Sequence, residues 1–412
     1  MTAQTEAGQS EIAEPTTALS PLKDVRVLVL FGGSELFGQE RANLEVFRNL
    51  SRLGLKARFI ISGKWGGQAI QPELNRMGFD WKSAPFGYHW GKSLVGREFY
   101  LLFVNLWGVL ATSWRVWNES RRWDATHIYA ANWRHWFYAA PGIRLTRKPL
   151  IFRAGDELPA NTFFHRWTGR QLLRDASRVV CNARFLADKF SQLGLEADKL
   201  RIIHNYPPRR SVSAPERLPE TAPHTLVVVF VGQISEHKGA SLFVEAAKVM
   251  AVANSDIVFW LVGASTWGNP LEQELKRDVA KAGLDRQIQF LGYRENVPEI
   301  LRRAHIHVCP STCDDASPNV VLEAKKEGVP SVVFPVGGLP ELVEHGVDGF
   351  ICQDRTARGL IEGIEYFMMD PNRRLLAGAA ARRSLDEKFG KHRFRRDWTE
   401  VFVATRRQVK PM

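Results

Sequence analysis

Asp315 and Glu323, with seven residues between them, are two acids around the start of one helix. The stretch His307 to Phe350 reads as a strand ending near Pro310, a loop holding Asp315, and a helix from about Asn319, with Glu323 one turn in. Free backbone amides at such a helix start suit a phosphate. A carboxylate beside them needs a donor, and paired hydroxyls supply it. A sugar nucleotide would satisfy both, with diphosphate on the amides and hydroxyls on the acids. The plainer alternative is a capping aspartate and a solvated helical glutamate.

A second candidate is Lys238. Val227 to Met250 reads as a buried strand ending at Gly232, then a loop carrying Lys238-Gly239 into a helix. Glycine lets the backbone approach a ligand, the helix start attracts anions, and Lys238 adds a point charge for phosphate. An exposed lysine in a turn is the alternative. Val336-Gly337-Gly338-Leu339-Pro340-Glu341 is a third glycine turn with proline at a helix start, expected as a floor of the same pocket. His305, His307 and Cys309 alternate as on a strand and share a face. No second ligand cluster accompanies them, so side chains within a sheet are preferred to a metal site.

These segments need a scaffold of strands and helices in alternation. Val25 to Phe31 is a short apolar run with β-branched residues, ended by Gly32-Gly33 and followed by a helical pattern from Glu40 to Leu53. That is the opening unit of a doubly wound sheet. Further strands fall at 57–61, 126–129, 149–153, 179–182 and 200–204, with helices at 98–120 and 184–193. Tyr206 to His224 contains five prolines and reads as a linker. The alternation then restarts, with strands at 225–231, 257–262, 287–291, 305–309 and 330–334. Helices between them fall at 239–251, 271–282, 297–303 and 319–327. The expected division is a disordered tail over 1–24, an α/β domain over 25–206, a linker over 207–224 and a second α/β domain over 225–388. Residues 389–412 remain as a C-terminal segment.

The chain of 412 residues carries a formal charge of +12, which favours anionic partners. No arginine-rich run with interleaved aromatics argues for nucleic acid. Four cysteines suit a reducing compartment. No signal peptide is visible, and the most apolar run, Phe99 to Ala111, is shorter than the roughly 20 residues of a spanning helix. The expectation is a cytoplasmic protein.

With these residues in hand, the chain resembles the GT-B glycosyltransferases of family 4, from about Val25 to Phe402 and most sharply from Val227 to Phe350. The family's acid pair corresponds to Asp315 and Glu323, with aspartate where glutamate is usual. The resemblance implies that Asp315 contacts the donor sugar, Glu323 the ribose, and the amides of Asn319 and Val320 the phosphates. Lys238 becomes the diphosphate clamp, while Tyr293 and Arg294 frame the base. Gly33, in Gly32-Gly33-Ser34-Glu35, faces the donor phosphates and acceptor. Gln233 takes the donor-site place where the family usually has arginine. Gly155 stands about where many members carry histidine, so Asp156 is the nearest polar candidate for catalysis. Its alternative is a strand-end aspartate that orients its loop. Phe394 to Phe402 resembles the helix that crosses back onto the first domain.

The implied architecture is α/β: two Rossmann-like, doubly wound parallel-sheet domains facing a central cleft. The implied activity is retaining transfer of a sugar from a nucleoside-diphosphate donor to a hydroxyl acceptor, glycan or lipid-linked. No cofactor beyond that substrate is implied, and no metal; no Asp-x-Asp motif stands out. Two other readings are a sugar-nucleotide epimerase and a non-catalytic binding protein, the latter suggested by Gln233 and Gly155. Seven tryptophans lie between Trp81 and Trp133. Trp107, Trp114 and Trp117 sit at helical spacing, which is more often a core face; an interfacial patch for peripheral membrane contact is the other reading.

Overall fold

The computed structural model describes residues 21–32, 36, 38–63, 70–86, 98–160, 162–208, 218–266 and 268–407, with the backbone alone for 98–104 and 407. The first sheet contains β1 (Arg26–Phe31), β2 (Lys56–Ser62), β3 (Asp80–Ala84), β4 (His127–Ala130), β5 (Leu150–Ala154), β6 (Ala176–Cys181) and β7 (Leu200–Ile202). The second contains β8 (Leu226–Val231), β9 (Ile257–Val262), β10 (Ile288–Gly292), β11 (Ile306–Cys309), β12 (Ser331–Val333) and β13 (Gly349–Ile351). Their spatial orders are β3-β2-β1-β4-β5-β6-β7 and β10-β9-β8-β11-β12-β13, parallel throughout. Each order reverses beside its first strand, at β1/β4 and at β8/β11. Ligands of such sheets bind beyond the strand ends at these switch points.

Burial on both faces explains the unbroken apolar runs. Val27, Val29 and Phe31 join one core layer, and Leu28 and Leu30 the opposite one. In the second sheet Val228 and Phe230 face one layer, Val227 and Val229 the other. The final helix, Lys391–Arg407, places Phe394, Trp398, Val401 and Phe402 in the core with Val27 and Val29. A chain leaving the second sheet thus finishes on the first.

Several elements escape the periodicity. β3 reads DWKSA and is a largely exposed edge strand without apolar alternation. The helix Trp133–Thr146 contains Pro141 and Gly142, both nominal breakers. Its Gly142 is needed because a Cβ there would stand 2.2 Å from the carbonyl oxygen of Ser113 on the helix Glu98–Arg122. The helix Phe163–Asp175 and β13 also lay outside the expected elements. Leu22, inside the stretch expected to be a tail, is fully buried against the first sheet. The core-face reading of the tryptophans is overturned for two of them: Trp107 is 66% and Trp114 57% exposed. Helical spacing was correct, but that stripe faces outward, since the inner face packs through Asn105, Gly108 and Ser113 against Tyr138 and Gly142. Among the described residues no helix is long and apolar enough to cross a membrane.

Candidate active site

Both switch points open onto one cavity of about 710 Å³. From the second domain, the turn after β8 supplies Gly232, Gln233 and Lys238, and the loop after β11 supplies Ser311, Asp315, Ser317 and Pro318. Asn319 and Val320 open the helix Asn319–Glu327, and Tyr293 and Arg294 follow β10. The first domain answers with Gln39, Arg41, Arg153, Gly155, Asp156, Asn182 and Asn205. Of the expected site residues, Asp156, Gln233, Lys238, Tyr293, Asp315, Asn319 and Val320 therefore line one cavity. Glu323 is buried one turn down its helix and does not line the cavity. Gly33 lies outside the described residues.

Local backbone explains the placement. Gly239 has φ +73°, and a Cβ there would lie 1.9 Å from the carbonyl oxygen of Pro310, so only glycine brings the Lys238 turn against the strand end. Gly337 and Gly338 back the loop of Asp315 instead of lining the pocket: the Gly338 amide donates to the Asp315 carbonyl at 2.9 Å. The expected pocket floor is thus a support beneath the acid. Pro318 supplies no side-chain cap to the helix Asn319–Glu327, which leaves its first amides to other acceptors.

The charges interlock. Lys238 Nζ donates to the Asp315 carboxylate. Burial lowers the lysine's pKa, but the charge and hydrogen bond of Asp315 outweigh it and hold the ammonium above its usual value. The Asp156 carboxyl is raised, chiefly by enclosure in the cleft and then by the Asp315 charge, with Lys238 and Arg153 acting against the rise. Gly155 admits Gln39, whose Nε2 would stand 2.9 Å from a Cβ at that position. Gln233 carries no charge and donates to Thr266 Oγ1 at 3.4 Å.

Contacts across the cleft bring in residues the sequence did not single out. Asn319 Nδ2 donates to the Gly38 carbonyl at 2.7 Å, and Asn205 Nδ2 donates to Asn319 Oδ1 at 2.8 Å. Arg41 donates to the Tyr293 hydroxyl at 3.3 Å. Lys189 bridges Glu157 and Asp314. The Glu341 carboxylate accepts from the amides of Arg184 and Phe185 at 2.7 and 2.8 Å, capping a helix of the other domain, and also meets His204 at 3.1 Å. Only the proline and glycines before Glu341 hinted at a helix start. His307, fully buried on β11, pairs with Ser331 Oγ at 2.9 Å, and burial presses its pKa down to about 3.

Two Rossmann-like sheets enclosing a basic cavity between them define the GT-B architecture. Residues 217–384 match the model "Glycosyl transferases group 1", and residues 37–206 match "Glycosyl transferase 4-like domain". The chain belongs to the group 1 GT-B glycosyltransferases. The Anabaena Alr3699/HepE structure with UDP and glucose aligns over 92% of this chain and 99% of its own, at TM-score 0.72 and 20% identity, which shows the shared fold. Spore coat protein SA of Bacillus subtilis is 25% identical over 186 residues, 44% of this chain and 49% of that protein. The UDP-Gal:alpha-D-GlcNAc-diphosphoundecaprenol alpha-1,3-galactosyltransferase of Escherichia coli is 31% identical over 132 residues, 32% of this chain and 33% of its own. The chain thus spans about half or less of the length of these two curated relatives.

Proposed function

We propose that the chain moves a sugar from a nucleoside-diphosphate donor to a hydroxyl acceptor, with retention of configuration and without an essential metal. The acceptor is a glycan or a lipid-linked chain of polysaccharide or glycolipid assembly, the setting named for several relatives. The carrying observation is the charge of the cavity wall: Arg41, Arg153, Lys238 and Arg294 against Asp156 and Asp315, an excess of two positive charges. A bound diphosphate matches that excess. In the free protein Asp315 holds Lys238. An incoming diphosphate competes for the ammonium and releases the carboxylate to accept sugar hydroxyls. Lys238 and the helix-start amides then stabilise the departing diphosphate while positive charge grows on the sugar. Asp156 stands beside that centre as its carboxyl partner. Glu323, buried beneath the helix start, reaches the ribose only if the first turn yields on binding. A thermal-shift screen against UDP-, GDP- and ADP-sugars tests the reading. Binding to the native state raises the midpoint with ligand concentration, and no shift with any of the three sinks it.

Peripheral contact with an anionic lipid surface, at the inner face of a membrane, belongs to the same proposal. Every exposed Trp and Phe among the described residues lies on two helices of the first domain: Trp107 and Trp114 on one, Phe163, Phe164 and Trp167 on the other. Phe137, on the helix between them, meets Phe164 at 5.7 Å. That middle helix and Phe163–Asp175 together carry five arginines against one acid, Asp175. Aromatic rings flanked by cations suit an anionic interface. Co-sedimentation with phosphatidylglycerol vesicles at low salt is expected, weakened by Trp107→Ser with Trp114→Ser. Wild-type protein that stays in the supernatant refutes the contact.

A further inference from the structure

Arg153 is a buried cation on the cavity wall whose hydrogen-bond partners are all neutral. It is the fourth residue of β5 and only 2% exposed. Its Nη2 donates to Asn205 Oδ1 at 2.5 Å, and it also bonds the hydroxyl of Tyr129, which itself donates to Asn43. Among the described residues its Nε has no partner. Among the described residues no carboxylate reaches it within ion-pair distance, and Asp156 acts on it only through space. Arginine is almost never fully buried unless paired, because an unpaired ion forfeits its hydration. Burial accordingly drags its pKa down. A cation held this way on a cavity wall calls for an anion from outside the chain.

Its position says which part of the cavity that anion would occupy. Asp156 feels both Arg153 and Lys238. The two cations therefore flank the same region, one from each domain. Asn205 continues the connection, since its Nδ2 donates to the Ser317 carbonyl at 3.1 Å as well as to Asn319. Arg153 is thereby tied to the helix start that lines the cavity. On the opposite wall Gln233 brings no charge.

We propose that Arg153 binds a diphosphate, acting from the first domain as the second cation beside Lys238. The inference rests on the donor reading above, and a diphosphate has two sources there: the nucleotide donor or a diphosphate-bearing acceptor. Apparent affinities of UDP, GDP, ADP and inorganic pyrophosphate are measured by thermal shift for the wild type, Arg153→Met and Arg153→Lys. Arg153→Met is expected to be as stable as the wild type or more so without ligand, because an unpaired buried charge has been removed. Its affinity for the nucleoside diphosphate that shifts the wild type is expected to fall about tenfold or more, as for loss of a charge-assisted hydrogen bond. Arg153→Lys, which keeps the charge and loses the fork, is expected in between, and it carries the test if the Met variant does not fold. Weakened nucleoside-diphosphate binding assigns the donor. Unchanged nucleotide affinity with weakened pyrophosphate binding at saturating nucleotide assigns the acceptor. Unchanged affinity for both, or a loss of ligand-free stability with affinity intact, overturns the proposal. A wild type that binds no nucleoside diphosphate sinks the donor reading instead, and pyrophosphate alone then decides the role of Arg153.

Discussion

Lys238→Ala separates two duties of that lysine, one proposed and one seen in its pairing with Asp315. One is electrostatic support of a departing diphosphate. Removing a single preorganised donor of this kind costs about 100- to 1,000-fold in kcat, or about 2.7–4 kcal/mol. The other is neutralisation of Asp315, whose side chain is only 16% exposed and loses its cation in the variant. A buried acceptor stripped of its partner costs about 1–3 kcal/mol, and the low end applies here because Lys238 is itself 38% exposed to the cleft. Rate and stability should therefore fall together in Lys238→Ala. They should part in Lys238→Ala with Asp315→Asn, where stability returns and the rate does not. Release of nucleoside diphosphate from whichever UDP-, GDP- or ADP-sugar the wild type hydrolyses gives the rate without knowledge of the acceptor. Thermal unfolding gives the stability. Near-normal turnover in the single variant would refute the assignment of Lys238 to the leaving group, and recovery of the rate in the double variant would reduce the lysine to a structural counter-ion.

Asp156 provides a pH test. Its folded-state carboxyl lies above the ordinary value of 3.8, so the native state binds the extra proton and the group costs stability once pH rises through the folded value. Asp156→Asn should raise the melting temperature near pH 7, and the gain should vanish below about pH 4; an equal gain at both pH values contradicts the environment described. Glu341 has the opposite sign. Burial alone would raise its pKa, but His204 and the two amides it caps hold it below 4.5. Its stabilisation is present above that value and is lost as pH falls through the folded value, and Glu341→Ala should cost about 0.5–2 kcal/mol at neutral pH, read by denaturant titration. Lys325, on the helix that opens at Asn319, pairs at 2.5 Å with Asp348, both almost wholly buried. Lys325→Met leaves a buried carboxylate unpaired and should cost about 3–5 kcal/mol in the same titration, whereas a change under 1 kcal/mol would show that Asp348 had found another partner.

How far the sequence reached differs between walls of the cavity. The wall of Lys238, Asp315 and Asn319 was legible because strand, glycine loop and helix follow one another within a few dozen residues, and the helix Asn319–Glu327 has the bounds its pattern suggests. The opposite wall is assembled from Gln39, Arg153 and Asn205, which share no local pattern and meet only when β1, β5 and β7 are gathered into one sheet. Asn205 directly precedes a proline-rich stretch that reads as a linker, yet it is 3% exposed and bonds three partners. Trp107 and Trp114 show the limit of periodicity: spacing fixes which residues share a face, and only the packing of a neighbouring helix on the other face decides whether that stripe meets core or solvent.

The cleft is spanned mostly by single polar contacts. Asn319 to Gly38, Asn205 to Ser317 and Arg41 to Tyr293 each join one side chain of one domain to one group of the other, and Glu341 joins three. A typical hydrogen bond contributes about 0.5–1.5 kcal/mol net, so these contacts add a few kcal/mol to the apolar packing of Ala316 and Phe389 against the first domain. A diphosphate gripped by Lys238 from one domain and Arg153 from the other would bind the closed arrangement far better than an open one. Only such a difference in affinity lets a ligand shift a conformational equilibrium. Two of the bonds, Asn205 to Asn319 and Asn319 to Gly38, end on the residue that opens the helix proposed to face the phosphates. Asn319→Ala should therefore weaken closure and donor binding together. Its donor affinity should fall by more than the loss of one neutral hydrogen bond in water would explain, and small-angle scattering should report a wider molecule in the absence of donor. An Asn319→Ala protein with the wild-type scattering profile would leave closure to the remaining contacts and remove Asn319 from it.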